Sequence, residues 1–253
     1  MLALALSLRL LYLQAVDGDR GAEFLRKQGN LRAVRTADIP VYRGVITDRV
    51  GTPLAVSSPV VSLWANPGQL KATSRLDELV SLLDLDKSQL LAKLKSYEGK
   101  QFMYLARHQP PEVARLVLQE NIAGVHAQRE YRRFYPVGEL TSQVVGLTNL
   151  DGKGIAGIEL AFDEWLSGVQ GKKRFIKDLH GEAVRDFGAI IQPRPGRDIS
   201  LSLDLRLQYV QHRELKKAIA QTRATSVSAI TLDSWTGEIL AVSNYPTFNP
   251  NNR

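Results

Sequence analysis

The sequence predicts an α+β fold: an elongated β-rich body with a helical insertion, preceded by a short apolar helix and followed by the opening of an incomplete second domain. Three observations carry that expectation. Short β-type runs separated by turn signals fill 32–64, leucines at helical spacing fill 67–120, and a Pro/Gly-rich joint at 192–197 precedes a fresh strand, helix and hairpin pattern. The 253 residues carry 33 Lys plus Arg against 26 Asp plus Glu, 44% hydrophobic side chains and no cysteine. That balance belongs to an ordinary globular chain and excludes disorder, collagen and disulfide-stapled miniproteins. The missing cysteine also removes thiolate nucleophiles and Cys-ligated zinc. The net charge of +7 is spread along the chain, and only Lys172, Lys173, Arg174 and Lys177 cluster, so a nucleic-acid partner is not expected.

The first element is apolar and short. Residues 1–14 read MLALALSLRLLYLQ, whereas a bilayer-spanning helix needs roughly 20 apolar residues. Arg9 inside the run and the poor cleavage site Leu13-Gln14-Ala15 argue against a signal peptide. Residues alone leave a soluble core helix and a truncated anchor level. Its stripe Leu2, Leu6, Leu10 and Leu13 suits a lipid or a partner helix equally.

Next come short strands at Ile39–Tyr42, Val45-Ile46, Leu54–Val56 and Val60–Trp64, with a turn expected at Ser57-Ser58-Pro59. In the helical insertion, about 67–125, the apolar positions are Leu76, Leu79, Val80 and Leu83, then Leu90, Leu91 and Leu94, then Val113, Leu116 and Val117. Phe102–Leu105 reads as a strand between the last two helices. Residues 125–150 return to short strands around Tyr135–Gly138, and a helix from Ile158 is expected to carry Phe162, Trp165 and Leu166 on one face. Basic strands from Lys172 to Phe187 turn at His180-Gly181. Beyond the joint, Ile199, Leu201 and Leu203 alternate, and Asp204 is placed to cap a helix bearing Leu205, Tyr209, Leu215 and Ile219. Val227–Leu232 and Glu238–Val242 then flank a hairpin turn, Asp233–Gly237.

Several of these residues spell a family. Arg43-Gly44-Val-Ile-Thr-Asp48-Arg49-Val-Gly51-Thr-Pro-Leu-Ala55 resembles the first N-terminal signature of class B penicillin-binding proteins. Arg133-Phe-Tyr-Pro-Val-Gly138, running on to Gly146, resembles the second, and Gly154-Ile-Ala-Gly157-Ile-Glu159-Leu-Ala-Phe-Asp163 through Gly168 resembles the third. Ser202–Gln208, Thr236–Ala241 and Asn249–Asn252 are similar to the opening of the family's transpeptidase domain. Trp64-Ala-Asn-Pro67 and Phe162-Asp-Glu-Trp165 tilt the resemblance toward the division-specific peptidoglycan D,D-transpeptidases. Gln143 departs from the pattern, standing where the second signature usually shows a His.

The resemblance implies a division of the chain: 1–16 the periplasmic end of a truncated transmembrane helix, 17–191 a dimerisation or pedestal domain, 192–197 a linker, and 198–253 the start of an incomplete transpeptidase domain. It further implies a single-pass protein of the bacterial inner membrane with its bulk in the periplasm. Its expected partners are a glycosyltransferase of the FtsW type and other division proteins. Peptidoglycan stem peptides and β-lactams are expected to bind only the full-length protein.

No catalytic residue is expected in this chain. Acyl transfer needs a serine with a nearby base, as in S-x-x-K, and neither S-x-x-K, S-x-N nor K-T-G occurs in the sequence. His108, His126, His180 and His212 lie scattered without metal-ligand spacing, so no metal or other cofactor is expected. Asp48 with Glu159 or Asp163 could act as an acid/base pair on sugars. The favoured reading of Arg43, Asp48, Arg49, Arg133, Glu159 and Asp163 is a structural charge network tying strands to a helix. Gly44, Gly51, Gly138, Gly154 and Gly157 suggest tight turns or close backbone approach. The competing readings are a non-enzymatic periplasmic scaffold and the elongation-specific relative.

Overall fold

Pro53–Ala65 forms one 13-residue strand in the computed structural model, where the sequence pattern suggests two strands parted by a turn. The structure describes Ala5, residues 34–177, 183–222 and 224–252. After β1 (Val34–Ile39) and β2 (Ile46–Thr47), this strand is β3. Along one edge β3 pairs residues 56–65 with β5 (Val125–Phe134); along the other, β2 reaches Ala55 and β4 (Met103–Gln109) starts at Val61. Pro59 therefore falls where that second edge is uncovered. Proline lacks an N–H, and a strand accepts it where the ladder does not ask for one. β5 is likewise a single strand of ten residues rather than several short ones.

Four short helices fill the insertion: α1 (Pro67–Lys71), α2 (Leu76–Leu82), α3 (Lys87–Ser96) and α4 (Pro111–Gln119). Asn66 caps α1 by accepting from the Gly68 and Gln69 N–H groups, and Asp86 caps α3 through Ser88 and Gln89. Their apolar faces close on the end of β3, burying Leu63, Leu70, Leu79, Leu90, Leu94, Met103 and Val117. Two expected core residues are exposed instead, Leu91 and Leu116. Each lies a single step from a buried neighbour, about 100° around the helix, and α3 and α4 each cover the core with one stripe only.

A second core gathers Ile46, Leu54, Ala55, Tyr135, Val145, Leu166 and Leu203. Around it lie a 3₁₀ turn (Gly138–Leu140), α5 (Ser142–Val145), the hairpin of β6 (Leu147–Thr148) and β7 (Gly154–Ala156), then α6 (Gly157–Ala161) and α7 (Asp163–Ser167). The single helix expected from Ile158 is thus two. Phe162 leaves helical geometry (φ −116°, ψ 29°), and the break turns Leu166 inward while Phe162 and Trp165 stay about half exposed.

A separate compact unit contains β1, β8 (Gly171–Lys177) and β9 (Ala183–Ile191), an antiparallel sheet in the order β1-β8-β9. The turn expected at His180-Gly181 lies outside the described residues, as do Leu2, Leu6, Leu10 and Leu13 and all of 1–16 but Ala5. No helix among the described residues is long and apolar enough to cross a membrane.

The larger unit takes the chain up again at Arg194. β10 (Ile199–Ser200) pairs parallel with β2, shorter than the alternation to Leu203 suggests, though Leu203 is buried. α8 (Leu205–Thr222) packs on the hairpin of β11 (Val227–Leu232) and β12 (Ile239–Tyr245). Its buried face is Gln208, His212 and Leu215, whereas Tyr209, expected inside, is exposed. Spacings of four and three place 208, 212 and 215 on one stripe, to which 209 does not belong.

Candidate functional site

Four of the signature residues meet around one buried carboxylate. Arg43 follows β1 on an extended segment, Arg133 stands near the end of β5, and Glu159 lies in α6 with no exposed surface. The Arg43 Nε donates to Glu159 Oε2 at 2.5 Å, and the Arg133 Nε donates to Oε1 at 2.6 Å. Arg43 also donates through Nη2 to the Glu159 carbonyl at 2.7 Å. Its Nη1 reaches Asp163 Oδ1 and Ser167 Oγ, both at 2.7 Å. Asp163 Oδ1 accepts further from the Gly154 N–H at 2.8 Å. Burial pushes the Asp163 carboxyl up, but these donors outweigh it and hold the group below its usual range. Arg133 has its pKa lowered by burial, against the pull of Glu159.

Ser57 closes the arrangement from β3. Its Oγ donates to the Arg43 carbonyl at 3.1 Å and accepts from Arg133 Nη1 at 3.3 Å. Strand β3, strand β5, the Arg43 segment and helices α6 and α7 thereby converge on one network. Both Glu159 oxygens and Asp163 Oδ1 are occupied by donors, and two of these are guanidinium groups that hold the carboxylates ionised. An acid/base reading of Asp48 with Glu159 or Asp163 has no geometric support, because Asp48 is engaged elsewhere.

Asp48 and Arg49 stand apart from this network. Asp48 Oδ1 accepts from the N–H groups of Val50 (3.0 Å) and Thr52 (2.7 Å), holding the turn between β2 and β3, and its Oδ2 accepts from Leu205 N–H at 3.4 Å at the start of α8. Arg49 forms an exposed pair with Glu238 at 3.4 Å. The capping residue Asp204 accepts from the Arg206 backbone N–H, and the Arg206 guanidinium beside it draws its carboxyl down to about 2.

The glycines divide by cause. Gly51 has φ +90° in an open turn, and Gly138 has φ +54° beside Asn249. A Cβ on Gly44 would sit 2.0 Å from the Arg197 carbonyl oxygen, and one on Gly154 would sit 2.0 Å from the Glu159 carbonyl oxygen. Gly157 combines φ +58° with the backbone of Val144 and Gly146 against it. Gly44 belongs to a crossing in which Gly44 N–H donates to Leu166 O at 2.8 Å and Gly196 N–H to Tyr42 O at 3.1 Å.

Other participants were not among the candidate site residues, although Ser167, Gln208 and Asn251 fall inside the family-like stretches. Ser57 and Ser167 are ordinary hydroxyls. Gln208, fully buried, donates from Nε2 to Leu140 O and Val242 O and accepts from Val242 N–H. Asn251 brackets Tyr135 by accepting from its N–H at 3.0 Å and donating to its carbonyl at 2.9 Å. Gln143, the departure from the second signature, donates to Pro246 O at 3.2 Å and pairs with Asn244. No group of side chains suited to a metal ion occurs among the described residues.

Residues 38–201 match the penicillin-binding protein dimerisation domain, the stretch that holds all three signatures and the network. The chain belongs to that family. It is 44% identical to the probable peptidoglycan D,D-transpeptidase PbpC of Pseudomonas aeruginosa, over 99% of this chain and 44% of that protein. It is 39% identical to peptidoglycan D,D-transpeptidase FtsI of Escherichia coli K12, over 100% of this chain and 43% of that protein. Probable transpeptidase PenA of Neisseria gonorrhoeae is 38% identical, with 96% and 42% covered. The chain thus spans less than half the length of these relatives, and it corresponds to the N-terminal dimerisation region of class B penicillin-binding proteins resembling FtsI. Among solved structures, Penicillin Binding Protein 2X of Streptococcus thermophilus has a TM-score of 0.60 at 23% identity, with 86% of this chain and 36% of that one covered. The complex of a penicillin-binding protein with MreC from Helicobacter pylori has a TM-score of 0.64 at 22% identity, covering 86% and 44%. Both likenesses concern the fold.

Proposed function

We propose that this chain is the N-terminal part of a peptidoglycan D,D-transpeptidase that cross-links septal cell wall during bacterial division. The observation that carries the reading is identity of 39–44%, over almost the whole chain, to proteins named peptidoglycan D,D-transpeptidase FtsI and probable peptidoglycan D,D-transpeptidase PbpC. The parent would perform penicillin-sensitive acyl transfer with a serine that this stretch does not contain. This stretch supplies anchoring and partner contacts. In this reading 1–16 is the periplasmic end of a single inner-membrane helix, 17–191 the pedestal, 192–197 the linker and 198–253 the opening of the transpeptidase domain. Exposed apolar residues on the hairpin, Ile230, Leu232 and Trp235, support the last assignment, because a larger domain would cover such side chains. An FtsW-type glycosyltransferase and other division proteins are the partners this role calls for.

Arg43, Arg133, Glu159 and Asp163 would act as the brace that keeps the strands and helices of the pedestal in fixed register, with Gly44, Gly154 and Gly157 permitting the close approach. Asp48 and Arg49 would tie the β2–β3 turn to the start of the transpeptidase portion. The experiment follows a fluorescent fusion of the full-length gene product and labels it with a fluorescent penicillin. Midcell fluorescence with covalent labelling is expected, and the 253-residue chain alone should take no label. Side-wall localisation would favour the elongation-specific relative, and an unlabelled full-length protein would leave a scaffold.

A further inference from the structure

Strand β5 pairs with β3 along one edge in an unbroken register over all ten of its residues, and its other edge pairs with no strand among the described residues. Three contacts fix which backbone groups face that open edge. Just beyond β3, the Asn66 N–H donates to the Gly124 carbonyl at 2.9 Å, which assigns the even-numbered residues of β5 to the ladder with β3. The odd-numbered ones point the other way. Both ends of the strand agree: Val125 N–H donates to Ile122 O at 3.1 Å, and the N–H and carbonyl of Tyr135 are both taken by the Asn251 side chain. Between those ends the N–H and C=O groups of Ala127, Arg129, Tyr131 and Arg133 face outward, with no partner among the described residues.

Open edges are normally blunted by proline, bulges, lysines or sheer shortness, because a bare row of donors and acceptors recruits another strand. β5 has none of these: it runs ten residues without proline, glycine or lysine and without a register shift against β3. Edge strand β9, by contrast, shifts register repeatedly against β8 and carries Gly188 at φ +81°. The side chains along the β5 edge add a sign. Arg129 and Arg132 are exposed, and neither has a carboxylate partner among the described residues. Glu130, the strand's one acidic residue, is engaged by Ser62 Oγ at 2.5 Å and by Arg107. Edge-to-edge pairing with a second copy would crowd the arginines of both strands together, which like-charge repulsion disfavours. A segment with carboxylates meets no such cost.

We infer that the open edge of β5 is a docking site for an extended, acidic segment of a partner polypeptide, which adds a strand by bonding the outward groups of Ala127, Arg129 and Tyr131 and sets carboxylates beside Arg129 and Arg132. Those two arginines lie three positions apart on opposite faces of the sheet, so the segment carries its acidic residues at i and i+3. Strand addition needs no transpeptidase chemistry and stands apart from the role proposed above.

The probe is the blocked octapeptide Thr-Val-Glu-Val-Thr-Asp-Val-Thr, with a counterpart bearing Lys in place of Glu and Asp, each added in millimolar excess to the full 253-residue chain and followed by amide hydrogen exchange. With the acidic peptide the amides of Ala127, Arg129 and Tyr131 should slow roughly 10-fold, while those of Gln128, Glu130 and Arg132, already bonded to β3, stay unchanged. The lysine peptide should bind at least about 5-fold more weakly, and Arg129→Glu combined with Arg132→Glu should weaken the acidic one by as much. Arg129→Pro deletes one outward donor and no bond to β3, so it should abolish the protection; unchanged exchange at Gln128 and Arg132 in the free variant shows that the β3–β5 ladder is intact. Outward amides that stay fast with the acidic peptide, or equal binding of the two peptides, would overturn the proposal. So would protection that rises with protein concentration in the absence of peptide, which would assign the edge to a second copy.

Discussion

Glu159 shows how far environment decides what an ion pair is worth. The carboxylate is fully buried between Arg43 and Arg133, whereas the Arg49–Glu238 pair is open to water and screened. Glu159→Gln strands two buried cations, so chemical unfolding should record a loss of about 3–5 kcal/mol. Glu238→Gln should cost under about 1 kcal/mol. Comparable losses from the two would refute the brace. A second test at this scale concerns pH. Asp204 has a folded pKa of about 2, below its ordinary 3.8, so its contribution is present above about pH 4 and disappears as pH falls through 2. Asp163, also depressed, acts in the same direction. Stability should therefore fall on acidification below about pH 4, and Asp204→Asn should flatten that slope while lowering stability at neutral pH. An unchanged slope would remove the cap from the account.

Elements were legible where one local rule sufficed. Leucine spacing places α2, α3 and α4, and turn residues place the hairpin of β11 and β12, because helices and hairpins are short-range objects. The failures share a cause. Pro59 reads as a turn residue, yet β3 runs through it because β2 and β4 leave that edge open, a fact that resides in residues far along the chain. The break at Phe162 likewise stands next to Asp163, whose partner Arg43 lies 120 residues away, and no local pattern announces it. On α3 the apolar run Leu90-Leu91 cannot say which leucine faces inward. The structure places Leu94 in the core and Leu91 about half exposed. Leu94→Ala should cost about 2–5 kcal/mol in equilibrium unfolding, and Leu91→Ala under about 1 kcal/mol. Equal costs would mean that the insertion packs differently.

In the larger unit, two hydrophobic cores share β3: one under the four-helix insertion, the other around Tyr135, Val145 and Leu166. The second is stitched to residues late in the chain by side chains rather than by apolar burial alone. Segment 135–143 meets 244–252 through Asn251 on both backbone groups of Tyr135, Gln143 on Pro246, and Ser142 and the Glu139 carbonyl on Thr247. Gln208 adds bonds to Leu140 and Val242. The three signatures were readable because family motifs cluster in sequence; of this seam the sequence offered Gln208 and Asn251 inside family-like stretches, but which backbone groups they bond is decided only when segments distant in the chain meet. Polar bonds of this kind contribute about 1 kcal/mol each, and an orphaned backbone group costs more. Asn251→Ala removes two of them and unpairs Tyr135 N–H, a loss of about 1–3 kcal/mol that need not reach the insertion. Amide exchange in 244–252 should then accelerate roughly tenfold or more, while the amides of α3 and α4 keep their protection. If exchange rises equally in both places, the two cores open as one cooperative body and the seam has no separate existence.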